Sequence, residues 1–114
     1  MTDLRAEINK LHANICSGLA DPTRILILYT LHDHPHNVSE LADSLDLPQP
    51  TVSRHLKVLR ERQMVMAERD GQSVYYSLAD ARIIEAMDLL RAVLASRLQD
   101  QSDLAESVSQ EISS

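Results

Sequence analysis

The residues with the most evident chemistry lie in the segment 47–60, where polar and basic side chains share one side of a predicted helix. Val52, Leu56 and Leu59 recur at i, i+4 and i+7, which predicts a buried stripe. The complementary positions carry side chains that can read base edges or bind phosphate. These are Gln49, Thr51, Ser53, Arg54, Lys57 and Arg60. The alternative is an ordinary amphipathic helix with a solvated polar face.

A helix and a tight turn are predicted directly before this segment. Ser39 is an N-cap residue type, and Leu41, Ala42 and Leu45 recur at helical spacing. The turn at Asp46 favours a positive φ, which aspartate tolerates better than most residues. Two short helices joined in this way predict a helix-turn-helix, whose second helix enters the major groove of DNA.

A β-hairpin is predicted after the basic helix. The segments 64–69 and 73–78 flank Asp70-Gly71, a strong signal for a tight hairpin turn. Arg69, Gln72 and Ser73 are placed at the hairpin tip. A hairpin in this position is a wing that meets DNA beside the recognition helix, and the alternative is a purely structural hairpin.

The charge of the chain is unevenly distributed. The net charge is −6, yet residues 48–76 carry 5 basic and 3 acidic side chains, a local charge of +2. A local basic surface matters more for DNA than the charge of the whole chain. DNA binding is therefore the preferred interpretation.

The remaining segments predict one domain that dimerises. A helix beginning near Leu4, a helix from Pro22 to about Leu31 and a last helix at about residues 80–98 complete a mainly α fold with a hairpin wing. The first and last helices are expected to pair across a two-fold axis. The predicted interface residues are Ile8, Leu11, Ile15, Met87, Leu90 and Leu94. Residues 1–98 form the domain, and the acidic, Ser- and Gln-rich segment 99–114 is expected to be largely disordered.

Composition excludes several other classes. The chain has no Phe or Trp, so its core must be aliphatic, and no apolar run is long enough to span a membrane. A single cysteine excludes an intrachain disulfide framework, which predicts a cytoplasmic location. No nucleophile–base set or phosphate-binding glycine-rich loop indicates an enzyme.

Four motifs together resemble one known family, the ArsR (ArsR/SmtB) family of winged helix-turn-helix transcriptional regulators. The motifs are the segments 19–26, 39–42, 49–59 and 70–78, and the similarity covers about residues 11–98. The resemblance implies a homodimeric repressor that binds double-stranded operator DNA and is released by an effector, often a metal or metalloid ion. It also places His55 on the DNA-facing helix.

The known effector sites of the family are not matched by this sequence. Asn37 and Ser39 stand where the thiolate pair of the arsenic- and lead-type site would be. Of the zinc-type site in the last helix, Asp80 is matched, whereas Arg82, Val93 and Ser96 stand at the other positions.

Other residues could still act as a sensor. Cys16 and His12, four residues apart, could contribute to a metal site shared by two protomers, or Cys16 could be a redox-sensitive thiol. The competing interpretation is a cysteine that acts as a small hydrophobe. His32, His34 and His36 could be metal ligands or solvated loop residues.

The sequence thus predicts a sequence-specific DNA-binding repressor with an unidentified effector, whether a metal, a metalloid or a thiol oxidant. No cofactor is required for DNA binding. The alternative function is a winged-helix adaptor that contacts proteins without specific DNA binding.

Overall fold

The computed structural model describes residues 3–113, which form a mainly helical chain with one hairpin. Its elements are α1 (Leu4–Leu11), a π-helical turn (His12–Cys16), α2 (Pro22–Asp33), α3 (Val38–Leu45), α4 (Gln49–Glu61), β1 (Val65–Asp70), β2 (Ser73–Leu78) and α5 (Arg82–Ser113). Met1, Thr2 and Ser114, the ends of the predicted domain and tail, lie outside the described residues. The chain divides into two compact units, one ending at Ala81 and the other beginning at Arg82.

The start of α2 follows the sequence prediction. Asp21 is its N-cap, and the Asp21 carboxylate accepts hydrogen bonds from the backbone amides of Thr23 (2.8 Å) and Arg24 (3.4 Å). Pro22 occupies the first helical position, where its missing N–H costs nothing. The helix ends at Asp33, slightly beyond the predicted boundary.

The N-cap of α3 is Asn37, and the prediction of Ser39 was wrong. The Asn37 side chain accepts from the Glu40 amide at 2.8 Å, while the Glu40 carboxylate accepts from the Asn37 amide at 3.0 Å. This reciprocal capping box gives a hydrogen-bond acceptor to each of two amide donors at the start of the helix, the amides of Asn37 and Glu40. At the other end of α3, Asp46 has φ 55°, as predicted.

The core of the first unit is aliphatic, as the composition requires. Side chains from α2, α3, α4 and the residues before β1 are almost completely buried and replace the missing aromatic residues. They are Ile27, Leu28, Leu41, Val52, Leu56, Leu59 and Met64. Gly18 lies so close to this core that a Cβ there would be 2.6 Å from the Met64 sulfur. A larger residue at position 18 would therefore displace a buried side chain.

The hairpin is an antiparallel pair in which Val65 faces Leu78 and Asp70 faces Ser73. Gly71 has φ 64°, which explains glycine at the tight turn. His36, in the loop before α3, exchanges both backbone hydrogen bonds with Tyr76 at 3.1 and 2.8 Å. This bridge joins the hairpin to the loop before α3, and the strands also contact α2, α3 and α4. The architecture is the predicted winged helix-turn-helix.

The second unit is α5, which continues to Ser113 through the segment for which the sequence predicted disorder. Residues 82–113 contain neither glycine nor proline, so nothing in the sequence interrupts the helix. Beyond Leu98 its described side chains are all exposed. Within residues 3–113, no helix is both long and apolar enough to cross a membrane.

The capping box leads to the first prediction. Replacing Asn37 by Ala should lower the free energy of unfolding by about 1 kcal/mol, because the Glu40 amide loses the Asn37 side-chain oxygen that accepts its hydrogen bond. Ser39→Ala is the matched control and should change it by less than about 0.5 kcal/mol, since Ser39 is exposed. Urea denaturation at one protein concentration measures both values, and a larger loss for Ser39→Ala would contradict the assignment.

Candidate nucleic-acid interface

The second helix of the helix-turn-helix, α4, presents a polar and basic face. Burial of Val52, Leu56 and Leu59 on one side leaves the opposite side exposed. Of the predicted DNA contacts on α4, Gln49, Ser53, Arg54, Lys57 and Arg60 are exposed, and Thr51 and His55 are half-buried. The Arg54 guanidinium donates to the Thr51 hydroxyl at 3.5 Å, so it leans toward the N-terminal end of α4.

A groove separates α4 from β2 and has a volume of about 520 Å³. It is lined by Ser53, Leu56, Lys57, Arg60, Glu61 and Tyr76. Two cations and two hydroxyl groups therefore border one open groove, with a single carboxylate at its edge. Sequence reasoning missed Tyr76, although the adjacent tyrosines of β2 place one on each face of the hairpin.

The predicted wing residues lie at the hairpin turn. Arg69 and Gln72 are exposed, and Ser73 is half-buried opposite Asp70. The structure thus brings a cation and two hydrogen-bonding side chains to the end of the wing. The wing base and α4 meet at the groove that contains Tyr76.

His55 is placed differently from its neighbours on α4. Its Nδ1 atom lies 3.4 Å from Nη1 of Arg24, so the ring turns toward the start of α2. His55 follows Val52 by three residues and precedes Leu59 by four, which puts it at the edge of the buried stripe. That spacing is the signal that could have separated it from the DNA-facing residues.

Within the described residues of a single chain, the candidate sensor residues are not part of a metal-binding group. Cys16 and His12 are exposed on the π-helical turn. Among the residues that the structure describes, no group of three or more His, Cys, Asp or Glu side chains could hold a metal ion. A sensing role for Cys16 and His12 stays a prediction.

The histidine loop is organised around its backbone. The rings of His34 and His36 stack with centroids 4.0 Å apart, and Nδ1 of His36 lies 2.6 Å from the His34 carbonyl oxygen. His36 is also the residue that bridges to Tyr76. The contacts of His36 therefore hold the loop and the hairpin together. His32 is exposed on α2.

The predicted dimerisation residues are mostly exposed in the single chain. On the N-terminal helical segment, Ile8, Leu11 and Ile15 are 49%, 43% and 37% exposed. On α5, Leu90 and Leu94 are 59% and 58% exposed, whereas Met87 is only 9% exposed. Each helix thus has an apolar surface available to a partner, to which Met87 contributes little.

Known proteins share this arrangement of helix-turn-helix and wing. The family model described as "Bacterial regulatory protein, arsR family" matches residues 21–66. The transcriptional repressor SmtB of Mycobacterium tuberculosis is 43% identical over 74 residues, which are 65% of this chain and 55% of SmtB. The chain therefore spans little more than half the length of that relative.

Two solved structures extend the comparison. The HTH-type transcriptional regulator Rv0081 of Mycobacterium tuberculosis is 39% identical over 85% of this chain and 86% of its own length. Its crystal structure has a TM-score of 0.73 at 38% identity and covers 82% of this chain and 95% of that one. The homodimeric winged helix-turn-helix DNA-binding domain of Mb0332 from Mycobacterium bovis has a TM-score of 0.72 at 26% identity, covering 86% and 91%.

These likenesses define the class as winged helix-turn-helix regulators. Within that class, the chain belongs to the ArsR family of bacterial regulatory proteins. The resemblance noted from four motifs is confirmed. The family model and the relatives are described as transcriptional regulators.

The cap of α2 has a predicted pH dependence. Burial raises the pKa of the Asp21 carboxyl, but backbone hydrogen bonds from Thr23 and Arg24 and the charges of His55 and Arg24 outweigh burial and lower the pKa overall. A carboxyl with a lowered pKa in the folded state contributes stability at neutral pH, and that contribution is lost as the pH falls through its folded pKa.

Asp21→Asn separates this charge from the cap itself, because asparagine is an equally good N-cap. The wild type should be the more stable protein at pH 7, and its advantage should shrink on acidification below about pH 4. Thermal melts of both proteins across this range measure the difference. A difference that stays constant with pH would contradict the assignment.

Proposed function

We propose that the protein is a homodimeric repressor that binds operator DNA through α4 and the hairpin wing. The observation that carries the proposal is the exposed face of α4, where Ser53, Arg54, Lys57 and Arg60 stand opposite a fully buried stripe. Membership of the ArsR family supports it, as does the similarity to Mb0332, a homodimeric winged helix-turn-helix DNA-binding domain.

The residues divide into two roles. Gln49, Thr51, Ser53 and Arg54 occupy the first half of α4, the part of a recognition helix that reaches base edges. Lys57 and Arg60 border the groove beside the wing and are assigned to phosphate. Arg69, Gln72 and Ser73 are assigned to wing contacts. His55 is no longer placed among the base contacts, because its Nδ1 atom faces Arg24.

Dimerisation would supply a second copy of α4, which is needed to bind the second half-site of an operator. The exposed apolar side chains of α1, the π-helical turn and α5 are assigned to an interface with a second copy. The homodimer of Mb0332 supports this assembly. A two-fold dimer would present two copies of α4 to a pseudo-palindromic operator.

Release of DNA is assigned to an effector, whether a metal, a metalloid or a thiol oxidant, in the cytoplasm. Asn37 caps α3 and has no thiolate, so the family's cysteine pair at the start of this helix is replaced by a structural cap. Cys16 remains the thiol to test, by comparing effector-induced release of DNA between the wild type and Cys16→Ser.

The experiment that tests the function is a mobility shift with the DNA upstream of the protein's own gene. Specific binding that survives competitor DNA at physiological salt is expected. Weak binding that disappears with salt, equal for unrelated DNA, would favour a protein-binding adaptor instead.

Substitutions on α4 should separate base reading from phosphate binding. Arg54→Ala should cost about 1–3 kcal/mol of binding free energy and relax the preference for the operator, because a base contact is lost. Lys57→Ala should weaken binding to all sequences and reduce the salt slope by about 1. Fluorescence anisotropy across salt concentrations measures both effects.

Lys10→Ala is the matched control for Lys57→Ala, since it removes the same charge from an exposed position of α1. It should leave both affinity and salt slope nearly unchanged. An equal loss in Lys10→Ala would mean that overall charge, and not the α4 surface, governs binding.

The dimer interface can be tested on α5. Leu94→Asp should convert the dimer to a monomer, because it places a charge in the proposed apolar contact, and sedimentation equilibrium measures the mass. Leu104→Asp is the matched control, since Leu104 is exposed on the same helix beyond the domain boundary proposed at Leu98. If Leu104→Asp also dissociates the dimer, the interface extends along α5 beyond Leu98, which would contradict the proposed boundary.

A further inference from the structure

The Arg24 side chain joins two parts of the first unit that are distant in sequence. Its Nε donates to the Gly18 carbonyl at 2.8 Å and its Nη2 donates to the Ser17 carbonyl at 3.1 Å. Its Nη1 lies 3.4 Å from Nδ1 of His55 on α4. One guanidinium thus contacts both the end of the N-terminal helical segment and the proposed recognition helix.

The two carbonyls lie directly after the π-helical turn, where the carbonyls of a helical segment lack their regular amide partners. Besides the bond from Arg24, the Ser17 carbonyl accepts a long bond of 3.4 Å from the Ala20 amide. A cation at this end is also favoured by the helix dipole. A second arginine, Arg62 at the C-cap of α4, donates to the Ala13 carbonyl of the same segment at 2.8 Å. The segment is therefore linked to α4 twice, to the middle of the helix through Arg24 and His55 and to its C-terminal end through Arg62.

The contact between Arg24 and His55 favours one tautomer of the imidazole. A guanidinium has only donors, so a hydrogen bond at this contact requires Nδ1 of His55 to be the acceptor and the ring proton to be on Nε2. Nδ1 of His55 is therefore directed toward Arg24 and not toward the exposed face of α4.

We infer that Arg24 and His55 form a positioning pair that sets the rotation of α4 about its own axis. His55 directly follows Arg54 and lies two residues before Lys57, so holding its ring limits where both neighbouring cations point. The pair contributes to DNA affinity although neither member touches DNA. This inference rests on the proposed function.

Three replacements of His55 distinguish positioning from direct DNA contact. Asparagine puts an acceptor close to the position of Nδ1, glutamine places its amide close to Nε2, and phenylalanine keeps a ring without either. His55→Asn should bind operator within about twofold of the wild type. His55→Gln and His55→Phe should bind on the order of three- to tenfold more weakly.

The opposite pattern would overturn the inference. If His55→Gln binds like the wild type while His55→Asn does not, His55 contacts DNA through Nε2. If all three bind equally well, the ring has no part in affinity. Thermal melts of each variant identify any that are partly unfolded, and affinities are compared per folded protein.

A double-mutant cycle tests whether the two residues act together. Arg24→Lys keeps the charge but replaces the planar fork with a compact ammonium that cannot serve the three acceptors. The combination of Arg24→Lys with His55→Phe should bind no more weakly than the weaker single variant. Losses that multiply in the double variant would overturn the pair.

A measurement without DNA separates this inference from the proposed function. Nitrogen-15 NMR of the imidazole should show the proton of His55 on Nε2, and Arg24→Lys should shift the Nδ1 resonance. A proton on Nδ1 in the wild type would overturn the pair whatever the DNA result. With the expected tautomer but no operator binding by the wild type, the proposed function fails, and the role of the pair in DNA affinity fails with it.

Discussion

The structure depends first on burial of one stripe of α4. Val52, Leu56 and Leu59 are almost entirely removed from water, which contributes roughly 1.5–3 kcal/mol for each side chain. Because the helical period is fixed, burying these three residues forces Ser53 and Lys57 to the opposite side. The burial that holds α4 in the domain therefore also determines that its polar and basic side chains are exposed to solvent.

The wing is joined to this helix through a residue with two separate contacts. The Tyr76 backbone exchanges hydrogen bonds with His36, while the same residue lines the groove beside Lys57 and Arg60. The loop before α3, the hairpin and α4 are thus connected at one point. This connection places Lys57 and Arg60 of an acidic chain side by side at one groove between α4 and the wing.

The proposed Arg24–His55 pair would extend this connection to the N-terminal segment. That segment carries Cys16 and the exposed apolar residues assigned to dimerisation, and its last carbonyls are bound by Arg24. A change at the dimer interface or at the thiol would then reach α4 through hydrogen bonds of the same guanidinium. Coupling of this kind needs an element with two arrangements, and the rotation of α4 is the one that the pair would control.

The sequence by itself determined the features that depend on residues a few positions apart. The Asp21 cap, the positive φ of Asp46, the Asp70-Gly71 turn and the buried stripe of α4 all follow from local chemistry or period. Four motifs were also enough to identify the family. Even here local signals can compete: both Asn37 and Ser39 are capping types, and the reciprocal bond with Glu40 decided for Asn37.

Only the tertiary structure decided the contacts between distant segments. The approach of Gly18 to Met64, the bridge from His36 to Tyr76 and the turn of His55 toward Arg24 each join residues more than thirty positions apart. Periodicity assigns a residue to a face of its own helix, but it does not say which side chain from elsewhere meets that face. For His55, at the edge of the stripe, only the tertiary structure shows that its Nδ1 atom lies beside Arg24 of α2.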